Sequence, residues 1–138
     1  MGNDSLAEQH FLTAISLAPF YKSALEHLAA VYTGQGRYEE ALRVYSSAVE
    51  TDPTDSTVRL NLGVTYGILG KHSEAIRELE LAVLYDKANW KARYNLANAL
   101  ASVGRTREAR RELETILQTW PGNEPARRAL AQLPPSLD

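Results

Sequence analysis

The sequence predicts an all-α protein, a solenoid of stacked antiparallel helix pairs, on three observations. The first is an internal period of 34 residues. Gly63, Tyr66, Gly70, Ala75 and Ala82 recur upstream as Ala29, Tyr32, Gly36, Ala41 and Ala48, and downstream as Ala97, Leu100, Gly104, Ala109 and Ile116. A fixed period of this length marks an array of like supersecondary units. The second is that apolar residues follow helical spacing along the chain, with no strand-like alternation. The third is regular punctuation by glycine or proline. It leaves connections of two to four residues, which oblige successive helices to run antiparallel and packed.

The elements follow in order. Residues 4–18 form an amphipathic helix with Leu6, Ala7, Phe11, Ala14, Ile15 and Ala18 on one face. Asp4 or Ser5 can cap it and Pro19 stops it. A second helix, 22–34, carries Leu25, Leu28, Ala29 and Tyr32, and Gly34 and Gly36 bracket its end. A third, 38–51, carries Tyr38, Ala41, Leu42, Tyr45, Ala48 and Val49 before Pro53. The pair then recurs at 56–68 and 72–85, hinged at Gly70, and at 90–102 and 106–119, hinged at Gly104 and closed by Pro121. A last helix, 124–133, has Pro125 in its first turn, where a missing N–H costs nothing, and ends at Pro134 and Pro135.

Composition narrows the function. At 138 residues the chain is one domain large enough to bury a core. A net charge of −2 gives no overall attraction to nucleic acid or an anionic membrane. There is no cysteine, hence no disulfide and no thiolate metal site. No apolar run reaches the roughly 18 residues of a membrane span, so membrane insertion is not expected. The N-terminus lacks a basic start and does not read as a signal peptide, which makes a cytoplasmic location the default. Charge is uneven. Residues 1–55 hold three basic and eight acidic side chains, and residues 86–138 hold nine basic and six acidic. This reads either as surface drift between units or as an end-to-end or partner preference.

The repeated residues resemble the tetratricopeptide repeat family, a 34-residue helix–turn–helix unit with leucine, small, aromatic and alanine residues at fixed offsets. Three full units are in phase: 22–55 (Leu25, Leu28, Ala29, Tyr32, Ala41, Tyr45, Ala48, Pro53), 56–89 (Leu62, Gly63, Tyr66, Ala75, Leu79, Ala82) and 90–123 (Leu96, Ala97, Leu100, Ala109, Leu113, Pro121). Residues 4–18 match the second half of a unit, and 124–133 form a C-terminal capping helix. The resemblance implies a right-handed solenoid stabilised by stacking. Four positions depart from the pattern. Lys87 replaces proline, Ile116 replaces alanine, and Arg59 and Arg93 replace a large apolar residue. Looser or offset packing is expected there.

In the family, the first helix of each pair lines a concave groove with the face opposite its packing residues. Here that face carries Ser23, Glu26, His27, Ala30 and Thr33, then Thr57, Leu60, Asn61, Val64 and Ile68, then Lys91, Tyr94, Asn95, Asn98 and Ser102, with Arg128 and Gln132 beyond. Asn61 and Asn95 lie one period apart. An amide both donates and accepts, so it can bond the backbone of an extended peptide without reading its sequence. Some family members grip chaperone C-terminal carboxylates with a lysine–asparagine clamp. Asn61 and Lys91 match two of its positions. Glu26 and Ala30 replace the preceding lysine and asparagine, and Glu26 repels a carboxylate, so a chaperone-tail receptor is not expected.

Other chemistries find no support. His10, His27 and His72 lack ligand spacing, so no metal is expected. Arg105, Arg107, Arg110 and Arg111 interleave with Glu108, Glu112 and Glu114, which favours intrahelical ion pairs over nucleic-acid binding. Glu39–Glu40 and Glu74–Glu78 read as exposed charges, and Trp90 and Trp120 as partly packed. Phosphate-loop and nucleophile motifs are absent. The expectation is a non-enzymatic interaction scaffold without cofactor. Its partner is a protein or peptide held by Glu26, His27, Leu60, Asn61, Val64, Lys91, Tyr94, Asn95, Asn98 and Arg128. Alternatives are homo-oligomerisation through residues 4–18, where Leu6, Leu12 and Ile15 lack obvious cover, or a docking segment of a larger enzyme such as a transferase.

Overall fold

The fold is taken from a computed structural model that describes residues 6, 8–10, 12, 13 and 22–135. Seven helices are defined between residues 22 and 132: α1 (Lys22–Gly34), α2 (Tyr38–Thr51), α3 (Ser56–Ile68), α4 (His72–Tyr85), α5 (Trp90–Ser102), α6 (Thr106–Thr119) and α7 (Glu124–Gln132). No strand occurs among the described residues. The last helix stops at Gln132, one residue short of the predicted bound. Leu6, Glu8, Gln9, His10, Leu12 and Thr13 are helical. The proposed caps Asp4 and Ser5, the face residues Ala7, Phe11, Ala14, Ile15 and Ala18, and the stop at Pro19 lie outside the described residues, as do residues 136–138.

Each helix packs on the next, and α3 also touches α5, which touches α7. The chain is therefore a row of pairs in which α3, α5 and α7 form one side. Two devices repeat with the period. At the start of α3, α5 and α7 a side-chain oxygen caps the third residue on. Asp55 Oδ1 accepts from the Val58 N–H at 3.0 Å, Asn89 Oδ1 from Ala92 at 3.1 Å and Asn123 Oδ1 from Ala126 at 3.0 Å. Each such cap stabilises its helix by about 1 kcal/mol. Between the helices of each pair, Gly36, Gly70 and Gly104 adopt φ of 72°, 76° and 82°, the left-handed region that a side chain disfavours.

The core is apolar and falls into two clusters. Leu25, Leu28, Ala29, Tyr32, Ala41, Tyr45, Ala48, Val58 and Leu62 form one cluster, with Val44 and Tyr66 packed against it. Ile76, Leu79, Leu96, Ala97, Leu100, Ala109, Leu113, Ile116 and Ala126 form the other. The small residues allow the close approach, and the larger ones fill the space between pairs.

The departures from the family pattern differ in outcome: Lys87 and Arg93 border a cavity of about 290 Å³ with Val83, Leu84 and Leu96, whereas the other two positions are packed. Ile116 is fully buried. Arg59 donates to Glu78 Oε2 at 2.7 Å, with side chains 12% and 6% exposed. One period on, Arg93 donates to Glu112 Oε2, also at 2.7 Å. Each arginine thus occupies an apolar position by carrying a carboxylate with it on the facing helix. Glu78 is accordingly not an exposed helix charge, and Glu112 bonds across helices rather than within its own. Arg105–Glu108 is the intrahelical pair the sequence suggested, at 2.6 Å.

The polar links between successive pairs also recur in altered form. Ser56 Oγ donates to the Ala82 carbonyl and accepts from Asn89 Nδ2, both at 2.8 Å. One period earlier the same two positions hold Lys22 and Asp55, joined as an ion pair. At the N-terminal side, Glu8 accepts from Tyr32 at 3.0 Å and from Arg37 at 2.8 Å, with the Arg37 guanidinium 4.5 Å over the Tyr32 ring. Leu6 and Leu12 remain 55% and 46% exposed.

Candidate functional site

α3 and α5 bring six of the predicted residues together. Leu60, Asn61, Val64, Lys91, Tyr94 and Asn95 line a groove of about 470 Å³, joined by Trp90 and Pro125. The helical period explains the grouping. Leu60, Asn61 and Val64 are three and four residues apart, as are Lys91, Tyr94 and Asn95, so each trio shares a face. Contact between α3 and α5 sets the two faces side by side. A second depression of about 290 Å³ shares Val64 and Asn95 with the first. It adds Gly63, Gly67, Ile68, His72, Ala75, Leu79, Asn98, Ala99 and Ser102.

The walls are mostly apolar, and Trp90 meets Tyr94 edge-on with ring centres 6.4 Å apart. Neither cavity is lined by an aspartate or glutamate. Lys91 is exposed and has no carboxylate within 4 Å among the described residues. The two period-related amides are not equivalent. Asn95 Nδ2 donates to the Lys91 carbonyl of its own helix at 2.8 Å, which occupies one of its two N–H groups. The Asn61 side chain makes no hydrogen bond among the described residues and offers both functions.

The remaining predicted residues lie elsewhere. Asn98 lines the second depression rather than the main groove. Arg128 is bonded to Glu124 of its own helix at 3.1 Å. Glu26 and His27 sit on α1, outside both cavities, where His27 Nδ1 lies 2.7 Å from the Ser23 carbonyl. Five lining residues were not placed on the groove face from the sequence, Trp90, Pro125, Gly67, His72 and Ala99, and three more, Gly63, Ala75 and Leu79, were read there as packing residues. Trp90 had a readable signal, since it precedes Tyr94 by one helical turn. Pro125 and His72 start other helices, and only the packing of those helices brings them to the wall.

No group of three or more metal-ligating side chains occurs among the described residues. No helix there is long and apolar enough to cross a membrane.

Comparison with known proteins gives a consistent result. Two family models match in succession, one described as TPR repeat over residues 29–70 and one as tetratricopeptide repeat over residues 68–133. Among solved structures, the first TPR of Spaghetti (RPAP3), bound to the HSP90 peptide SRMEEVD, is 26% identical with a TM-score of 0.76. The match covers 80% of this chain and 87% of that one. A tetratricopeptide repeat protein from Parabacteroides merdae is 22% identical with a TM-score of 0.88, covering 94% of this chain and 52% of that one. The protein O-mannosyl-transferase TMTC1 of Homo sapiens is 37% identical over 62 residues, which is 45% of this chain and 7% of that relative's length.

Proposed function

The chain belongs to the tetratricopeptide repeat family, and on that premise we propose that it is a non-catalytic interaction scaffold taking an extended peptide of a partner protein into the α3–α5 groove. One observation carries this reading. The groove sets an amide, Asn61, and a cation, Lys91, that have no side-chain partner among the described residues, within apolar and aromatic walls. Binding grooves share that composition, with apolar surface for affinity and a few polar groups for orientation. The Spaghetti domain, a relative above one quarter identity, is bound to a peptide. Its acidic chaperone sequence is not the favoured ligand here, because Glu26 and Ala30 stand where a second cationic and amide contact would be needed.

The test is a fluorescence-polarisation screen of labelled ten-residue peptides, SRMEEVD included, followed by the Asn61→Ala/Asn95→Ala variant. Two backbone hydrogen bonds at about 1 kcal/mol each predict a loss of affinity of at least roughly tenfold, with the helical circular dichroism intact. Unchanged affinity in a folded variant would sink the groove assignment.

A second reading is that the repeats are the docking segment of a larger transferase, motivated by the 62-residue likeness to TMTC1. Sequencing the full transcript tests it. Catalytic-domain sequence contiguous with these repeats supports it, and a reading frame holding repeats alone removes it.

A further inference from the structure

We propose that the cavity at the α4–α5 turn docks a proline-bearing extended segment of a partner protein. It is bordered by Val83, Leu84, Lys87, Arg93 and Leu96 and shares no lining residue with either depression of the groove, so it stands independently of the reading above. The molecule contains an occupied version of the same place. One period earlier the position of Lys87 is Pro53, and the Pro53 carbonyl accepts from Arg59 Nε at 3.0 Å. At the α4–α5 turn the ring is missing, and the Arg93 guanidinium bonds only Glu112 among the described residues. Its side chain is 15% exposed. The other N–H groups therefore have little access to water and favour an acceptor delivered from outside. Arg110 donates to the Pro134 carbonyl at 3.1 Å, so the chain already makes this kind of contact twice.

A second change falls at the same turn. Glu80, Val83 and Leu84 are three and four residues apart and share a face of α4. Leu84 stands 60% exposed, whereas the equivalent positions one period before and after are Glu50 and Gln118. A leucine thus meets water where its counterparts are polar, beside a lysine whose counterparts, Pro53 and Pro121, are proline. The two changes together leave an apolar wall and an unfilled volume of about 290 Å³. Charge fixes the rest of the occupant's chemistry. Lys87 and Arg93 are balanced around the wall by Glu80 and Glu112, so the site favours no net charge. It suits a neutral apolar ring that brings a free carbonyl with it. A polyproline II segment has both properties, because its backbone carbonyls make no internal hydrogen bonds. Such a segment is also stiff before it binds, which lowers the entropy lost on docking.

The turn itself accepts proline, which supplies the test. Asp86, before Lys87, has φ −146° and ψ 94°, close to the −141° and 92° of Asp52 before Pro53. The Lys87 N–H makes no hydrogen bond among the described residues. The probe is a capped ten-residue peptide of proline, serine and glycine, with a mate in which every proline is alanine, titrated into the isotope-labelled full chain by NMR. The proline peptide should shift the Leu84, Lys87 and Leu96 amides and bind about tenfold more tightly than its mate. Lys87→Pro puts the ring back within the chain. It should abolish this binding while raising the melting temperature by a few degrees. Leu84→Glu restores the polarity of the neighbouring units and should weaken binding about tenfold with the helical circular dichroism intact. Parent-like affinity in either variant overturns the site, as does an equal response to the two peptides or none at millimolar concentration. Shifts confined to Asn61 and Asn95 would assign the peptide to the groove and remove this site.

Discussion

Between α1 and α2, Leu25 and Val44 belong to one apolar cluster. At the equivalent positions one and two periods later stand Arg59 with Glu78 and Arg93 with Glu112. The two solutions occupy the same place in the same fold but differ in what they tolerate. An apolar pair loses packing when either member changes. A buried ion pair is roughly neutral as a unit, because desolvation offsets attraction, yet its loss is costly when only one member is removed. The change at both positions together is what keeps each interface consistent.

Three measurements break or sharpen this contrast. The largest effect is expected from Arg59→Leu alone, which leaves Glu78 buried with only Arg77 at 3.8 Å. A loss of about 3 kcal/mol should appear in urea unfolding. Arg93→Leu should cost less, since Glu112 is 24% exposed and can rehydrate. Arg59→Leu combined with Glu78→Val rebuilds the chemistry of the first pair and should return to within about 1 kcal/mol of the parent. A double variant as unstable as the single one would mean that the arginine is held by more than its carboxylate, for example by the Pro53 carbonyl it donates to at 3.0 Å.

The smallest effect is set by pH. The Arg37 hydrogen bond holds the Glu8 carboxyl below the usual range, against a lesser opposing effect of burial. Burial pushes the Asp55 carboxyl up, but Lys22 and the Val58 N–H together bring it below the usual range. A carboxylate depressed in the folded state stabilises above its unfolded pKa of about 4, and that contribution fades as pH falls through the folded value. The matching link one period on, Ser56–Asn89, contains no titratable group. Amide exchange from pH 6 to pH 3 should therefore show α1 losing protection before α5, and Asp55→Asn should flatten the response of α1. Equal loss in both helices would erase the distinction between the two boundaries.

The scaffold was legible because its constraints are local and repeat. Ala29, Gly63 and Ala97 announce a close approach, and Gly36, Gly70 and Gly104 announce a turn. The groove was half legible. Helical spacing predicts that Asn61 and Lys91 lie on first-helix faces, but only the packing of α3 on α5 shows which faces meet. The Arg59–Glu78 pair was hidden for a different reason. Its members are 19 residues apart on separate helices, and Arg59 reads as a departure at an apolar position while Glu78 looks like an ordinary surface charge. The signal was the joint recurrence of arginine and glutamate at the family's apolar positions. The bonded state of Asn95 was not readable at all, since a side-chain rotamer decides it.

The Ser56 hydroxyl, which bridges the Ala82 carbonyl and the Asn89 amide, also has a consequence in time. Its partners lie 26 and 33 residues downstream. On a ribosome adding about 5–20 residues per second, Ser56 waits roughly 2–7 s after its own synthesis for Asn89 to be made. The bond therefore cannot close until the residue that opens the way to α5 exists, so the α3–α4 pair is completed by chain made after it.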